Sequence, residues 1–153
     1  MDHTLRAFKK TDAKGVKELI LTVLEKEYPF HRSAYSDSDL DRIGEIYGGA
    51  KESFFVMEEK GKIVGTVGIK EDSKDDALLR RLFVDAAFRK RGYGSLLART
   101  AIDFCKEKGY RRIYFRCTDR MQDAMKLCIK NGFRETEKLP VSGFNIHKLE
   151  RAL

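Results

Sequence analysis

Cysteine and histidine are scarce in this sequence. Cys105, Cys117 and Cys128 are scattered without a CxxC spacing, and only three histidines accompany them among 153 residues. That set supplies neither a disulfide framework nor a structural zinc site, so we expect no metal centre and three free thiols in a reducing compartment. Long hydrophobic runs are also missing. No window approaches the roughly 18 to 20 apolar residues of a membrane span, so no membrane partner is expected. The N-terminal MDHTLRAFKK lacks the apolar centre of a secretory signal, and the expected location is the cytoplasm. No linker, repeat or low-complexity stretch interrupts the chain, which reads as one domain over residues 1–153.

What is present is a globular composition: 42% apolar and 36% charged residues, with a net charge of +7. Such a balance buries a core and favours anionic partners. The cations are spread over several elements rather than gathered in a basic tail, so nucleic acid is not the expected partner.

Periodicity orders the elements. HTLRAFKK alternates as a strand. Asp12 is a candidate cap for a helix starting near Ala13, whose Val16, Leu19, Ile20, Val23 and Leu24 form one stripe. EYPFHRSAYSDSD is a loop by composition. Leu40, Ile43 and Tyr47 predict a short helix capped by Ser38 or Asp39 and stopped by Gly48 and Gly49. SFFVMEEK and KIVGTVGIKE read as strands joined by a tight Lys60-Gly61 turn. ALLRRLFV is a further strand, and a helix follows from Ser95 to Lys108. RRIYFRC predicts a strand, MQDAMKLCIKN a helix ended by Gly132, and FRETEKL and FNIHKL two closing strands. This pattern predicts an α+β fold with a mixed central β-sheet flanked by helices.

FRKRGYGS, residues 88–95, lies between a strand and a helix. A helix start leaves backbone N–H groups unpaired, and glycine lets a ligand approach them. The context suits a phosphate, with Arg89, Lys90 and Arg91 adding charge. Neither GxGxxG nor GxxxxGK with a following Ser or Thr is present, so the dinucleotide fingerprint and the nucleotide P-loop are excluded. A solvated turn opening a surface helix is the alternative.

LLRRLFVDAAFRKRGYGSLLARTAIDFCKEKGYRRIYF resembles the core of the Gcn5-related N-acetyltransferase (GNAT) family. Arg89, Gly92 and Gly94 match its acetyl-coenzyme A motif. AMKLCIKNGF, with Ala124, Gly132 and Phe133, is similar to its second motif. The element order extends the likeness over nearly the whole chain. The resemblance implies a single-domain GNAT-like acyl-CoA N-acyltransferase fold. It also implies an acetyl-CoA dependent N-acetyltransferase acting on a primary amine, with acetyl-CoA as donor substrate and direct transfer in a ternary complex. The acceptor is an amine-bearing small molecule or peptide, and homodimers are common in the family. In that frame Gly92, Tyr93, Gly94 and Ser95 cradle the pyrophosphate through backbone N–H groups. Arg89, Lys90 and Arg91 surround the phosphates, and Leu82, Phe83 and Val84 on a splayed strand pair with the pantetheine arm.

The chain departs from the family where the chemistry lies. Leu78 stands where many relatives hold a glutamate, and Met121 replaces an asparagine. A tyrosine position falls near Leu127 and Cys128, with Cys128 the better match. Cys128 is a candidate proton donor, although its face, shared with Ala124 and Met125, favours packing. His31 in the polar loop is a candidate base beside Tyr28, Phe30 and Tyr35 as pocket walls. Glu52 and Glu58 are candidates to receive an amine proton through water. Cys117 ends a strand near the expected cleft. Cys105, His3 and His147 read as structural or surface residues. These departures also raise an alternative, a catalytically weak or inactive acyl-CoA-binding module on the same fold.

Overall fold

The computed structural model describes residues 3–27, 39–141 and 143–153. Seven strands form one sheet in the order β1-β2-β3-β4-β5-β7-β6. They are β1 (His3–Ala7), β2 (Ser53–Glu59), β3 (Lys62–Glu71), β4 (Asp76–Val84), β5 (Arg112–Thr118), β6 (Arg134–Val141) and β7 (Phe144–Ala152). The helices are α1 (Ala13–Glu27), α2 (Ile43–Ile46), α3 (Tyr93–Glu107) and α4 (Gln122–Lys130). Within this sheet only β4 and β5 pair in parallel, because α3 returns the chain between them; the other neighbours are antiparallel. The expected α+β class with a mixed sheet is what the chain forms. Among the described residues, no helix is long and apolar enough to cross a membrane.

The sheet is covered on both faces. On one, Leu97, Ala101 and Cys105 of α3 and Met125 and Cys128 of α4 pack against Leu79, Leu82, Phe115 and Leu149. On the other, Val16, Ile20 and Leu24 of α1 pack with Leu40, Tyr47, Phe54, Val56 and Phe83. The whole predicted α1 stripe is buried. β3 lies mid-sheet under both layers, so Ile63 through Ile69 are all buried without alternation. Lys60 and Gly61 adopt φ of 52° and 80°, the left-handed pair a two-residue hairpin requires.

Two capping expectations need correction. α2 begins at Ile43 with Arg42 in the capping position, so Asp39 does not cap it; the Asp39 carboxylate is taken by Arg81 and Tyr47 instead. Asp12 does not cap α1. It closes a 3₁₀ turn over Lys10–Asp12, accepting from the Lys9 N–H at 2.8 Å and from Arg6 at 2.7 and 2.9 Å. The nearby guanidinium on β1 offers two charge-assisted bonds, and the carboxylate turns toward it.

Two irregularities in β4 shape the end of the sheet beside α3. Between the pairs Thr66–Phe83 and Gly68–Arg80 the register slips, so Val67 faces two β4 residues. Arg81 takes φ 53° there, and Thr66 Oγ1 donates to its carbonyl at 2.7 Å. This bulge interrupts the alternation of faces. Leu79 and Leu82 point to the α3/α4 layer and Phe83 to the α1 layer, while Arg80 and Arg81 both reach Asp39. The second irregularity is that β4 and β5 pair only from Asp76–Arg112 to Leu79–Phe115. Beyond that point the two strands separate, and a wedge opens toward the start of α3.

Candidate active site

A cleft of about 370 Å³ occupies the wedge. Leu82, Phe83 and Val84 of β4 form one wall, and Phe88, Arg89, Lys90, Gly92, Tyr93, Gly94 and Ser95 form its floor. Met121, Asp123, Ala124, Leu127 and Lys130 close it from α4, with Val23 contributed by α1. A larger groove of about 760 Å³ lies between α1 and the β2–β3 turn, but it contains none of the glycine loop. The glycine loop borders the smaller cleft.

The loop geometry follows from its sequence. Gly92 ends the turn at φ 81° and immediately precedes α3. That angle favours glycine. The first N–H groups of α3, from Tyr93 onward, face away from the helix body and have no intrahelical acceptor. Gly94 has a separate role. A Cβ there would lie 2.8 Å from Leu127 Cδ2, so glycine allows α4 to close against the helix start. A backbone cradle at a helix N-terminus, with glycine where close approach is needed, fits an anionic phosphate group.

The three basic residues of the loop separate in role. Arg89 makes a two-pronged pair with Glu27 at 2.6 and 2.7 Å, and its Nε donates to the Val84 carbonyl at 3.0 Å. It ties the loop to the end of α1 and to β4. Arg91 donates to Glu59 at 3.3 Å, outside the cleft lining, and the Tyr93 hydroxyl donates to the same carboxylate. Lys90 lines the cleft at φ 63°. Together with Lys130 it gives the cleft positive charge.

The described candidates for proton transfer are not gathered there. Glu52 sits at the far end of β2, beside Lys70 at 2.8 Å, and accepts the N–H groups of Gly49 and Glu71. Burial would raise its pKa, but these partners outweigh burial and hold it below the usual range. Glu58 pairs with Arg6 at 3.0 Å and borders the other groove. His31, Tyr28, Phe30, Tyr35 and Ser38 lie outside the described residues. Cys128 is fully buried in the α3/α4 core and does not line the cleft, and burial pushes its thiol up to about 12. Cys105 and Cys117 are likewise buried, with thiols pushed up to about 12. The residue that faces the cleft beside Cys128 is Leu127. The spacing of Ala124 and Leu127, three apart on α4, marks a stripe next to the core stripe and was the available signal. Replacing Cys128 by alanine should therefore cost roughly 1 kcal/mol of stability and leave the single-turnover rate per folded molecule nearly intact. Urea unfolding beside rapid-quench kinetics checks both; a hundredfold rate loss at unchanged stability would make the thiol a proton donor.

Two polar clusters escaped the sequence reading because each joins distant segments. Asp39 accepts from Arg81 and from the Tyr47 hydroxyl at 2.7 Å, all three being buried. His147 on β7 lies between Asp119, which it contacts through Nε2, and Glu135, whose Oε1 is 3.2 Å from Nδ1. Asp119 also accepts from the Asn145 backbone and side chain at 2.8 and 2.9 Å, so the β5–α4 turn is fastened to β7. The Asp119 carboxylate raises the His147 pKa, burial opposes it, and Glu135 adds to the rise. A raised folded-state pKa means that the stabilisation is complete below about pH 6.5 and disappears as pH climbs through the folded value. Thermal unfolding from pH 6 to 9 should show that decline, and His147→Gln should flatten it; an unaltered profile would place the dependence elsewhere.

The sheet, its wedge and the glycine loop at the start of α3 together define the fold of an acyltransferase. The model of the "Acetyltransferase (GNAT) family" matches residues 19–133, and the chain belongs to that family. It is 33% identical over 85 residues to "Probable N-acetyltransferase camello" of Xenopus tropicalis, an alignment covering 54% of this chain and 39% of that protein. The chain spans less than two thirds of the length of the first curated relatives it matches. Solved structures agree over the full chain. A GNAT-family acetyltransferase of Staphylococcus aureus Mu50 superposes with a TM-score of 0.87 at 24% identity, covering 99% of each chain. The Salmonella typhimurium protein yncA, solved with its cofactor acetyl-CoA, gives 0.80 at 17% identity, covering 99% of this chain and 94% of its own. At these identities the superpositions establish the fold.

Proposed function

We propose that this chain is an N-acetyltransferase that passes an acetyl group from acetyl-CoA to a primary amine within a ternary complex. The observation carrying the reading is the glycine loop that opens α3 at the point where β4 leaves β5. There, the N–H groups of Tyr93, Gly94 and Ser95, which would hold the pyrophosphate, stand next to an edge of β4 that pairs with no strand among the described residues. That edge, from Leu82 to Val84, can pair with the amide-bearing arm of the donor. Lys90 and Lys130 add charge for the phosphates, and Arg89 and Arg91 keep the loop in shape through Glu27 and Glu59.

The bound donor supplies an activated thioester carbonyl. At that carbon the amine nitrogen forms a bond as the carbon–sulfur bond breaks; the nitrogen sheds one proton and the departing sulfur takes one up. Direct transfer is favoured over an acyl-cysteine route because all three thiols are buried and pushed toward about 12. Calorimetric titration with acetyl-CoA, followed by thiol release across a panel of amines, tests the reading. Binding in the micromolar range with amine-dependent release is expected, and absence of binding would refute it. The second reading is an acyl-CoA-binding module of low activity. It is favoured by leucine at positions 78 and 127, where no proton can be exchanged. Tight acetyl-CoA binding with no release above the amine-free rate would select it.

A further inference from the structure

The two residues that follow the last β4–β5 pair are both arginines. Pairing ends at Leu79–Phe115, and the next positions are Arg80 and Arg116, one on each lip of the wedge. Neither belongs to the cleft lining on the α3/α4 side. Phe115 and Cys117 turn into the α3/α4 core, so alternation sends Arg116 to the opposite face. Alternation from Leu79 sends Arg80 to that same face, with its guanidinium 4.0 Å from Asp39. The surroundings continue the charge. Lys148 lies opposite Arg116 in the β5–β7 register, and its ammonium stands 4.1 Å from the centre of the Tyr114 ring.

Among the described residues, the acids on this face are largely committed. Asp39 is taken by Arg81 and Tyr47, Asp76 pairs with Arg112 at 2.8 Å, and Glu137 stands 3.9 Å from Lys148. Glu150 is opposite Tyr114, two residues further from the opening. Among the described residues Arg116 forms no ion pair, and Arg80 has only the long contact to Asp39. Arg80 is partly exposed and Arg116 exposed. Spare guanidinium donors at a gap bind carboxylates well, because their planar forks match two carboxylate oxygens. A cationic amine such as a polyamine would be repelled at the same place.

We infer that Arg80 and Arg116 select an acceptor that carries a carboxylate close to its amino group, approaching through the wedge from the face opposite α3 and α4. This rests on the acetyltransferase reading and adds the acceptor's chemical class. The two arginines are specificity-determining residues, with no part in holding the donor.

Matched acceptors test it. With saturating acetyl-CoA at low salt, kcat/KM is measured for glycine, aspartate, glutamate and γ-aminobutyrate, for the corresponding amides, and for spermidine. At least one carboxylate-bearing amine should exceed its amide by tenfold or more, chiefly through KM, and the advantage should shrink as salt screens the charges. Arg80→Gln and Arg116→Gln should each reduce that ratio fivefold or more while the acetyl-CoA Kd changes less than twofold. Arg80→Lys should restore part of it. Equal use of amides, preference for spermidine, or ratios unmoved in the Gln variants would overturn the inference while leaving the acetyltransferase reading in place. If no amine turns over, the same compounds are titrated into CoA-loaded protein; failure of every carboxylate to bind also overturns it. Absence of acetyl-CoA binding to the wild-type chain refutes the acetyltransferase reading itself.

Discussion

Substituting valine for Gly94 should weaken acetyl-CoA binding by well over tenfold, which corresponds to more than about 1.4 kcal/mol. The first added carbon would stand 2.8 Å from Leu127 Cδ2, closer than two carbons can approach. Leu127 is a flexible side chain that lines the cleft, so the strain resolves by displacing it, and the displaced atoms enter the space reserved for the ligand. The valine also covers N–H groups at the start of α3 that an anion would otherwise reach. α3 itself should survive, since its stripe of Leu97, Ala101 and Cys105 remains packed. Calorimetry with acetyl-CoA beside circular dichroism separates the two effects. Unchanged affinity in a folded variant would remove the pyrophosphate from this loop.

Asp39→Ala should destabilise the protein by about 3–5 kcal/mol, the range found when one partner of a buried ion pair is removed. The side chains of Asp39 and Arg81 are 5% and 4% exposed, too little for water to replace the lost carboxylate. The Tyr47 hydroxyl would lose its acceptor as well. Replacing both members, Asp39→Leu with Arg81→Met, should recover much of the loss, because no buried charge then lacks its counterion. Burial alone would raise the Asp39 pKa, but bonds from Arg81 and Tyr47 outweigh it and lower the value. The stabilisation is therefore present above about pH 4, the unfolded value, and is lost as pH falls through the folded one. Urea unfolding of the single and double variants at pH 7 checks the magnitude; a loss below about 1 kcal/mol for Asp39→Ala would show that the pair contributes little.

The periodic elements were legible in the chain because their signals are local. Val16 to Leu24 fall on one helical face whatever α1 packs against. Lys60-Gly61 needs only its own dihedral angles to turn. The strand–loop–helix context of Arg89, Gly92 and Gly94 is also contiguous, so the glycine turn that opens α3 could be located from residues 88–95 alone. Asp12 misled because its carboxylate had a second suitor, Arg6, whose proximity depends on the path of β1.

Position across the sheet depends on how distant strands pair. Alternation along RRLFV predicts Arg80 and Arg81 on opposite faces, and the bulge against Val67 puts both toward Asp39. Arg89, Lys90 and Arg91 look equivalent in sequence, yet Glu27 and Glu59 claim two of them from elements roughly 30 to 60 residues away. Asp119, Glu135 and His147 meet because β5, β7 and β6 lie side by side in that order. One residue of offset on α4 separates buried Cys128 from cleft-facing Leu127. Which elements form, and where a glycine turn opens a helix, could be read along the chain, since backbone conformation and helix periodicity are short-range. The packed fold decided which charges remain available to a ligand, since that depends on register and on counterions contributed from distant strands.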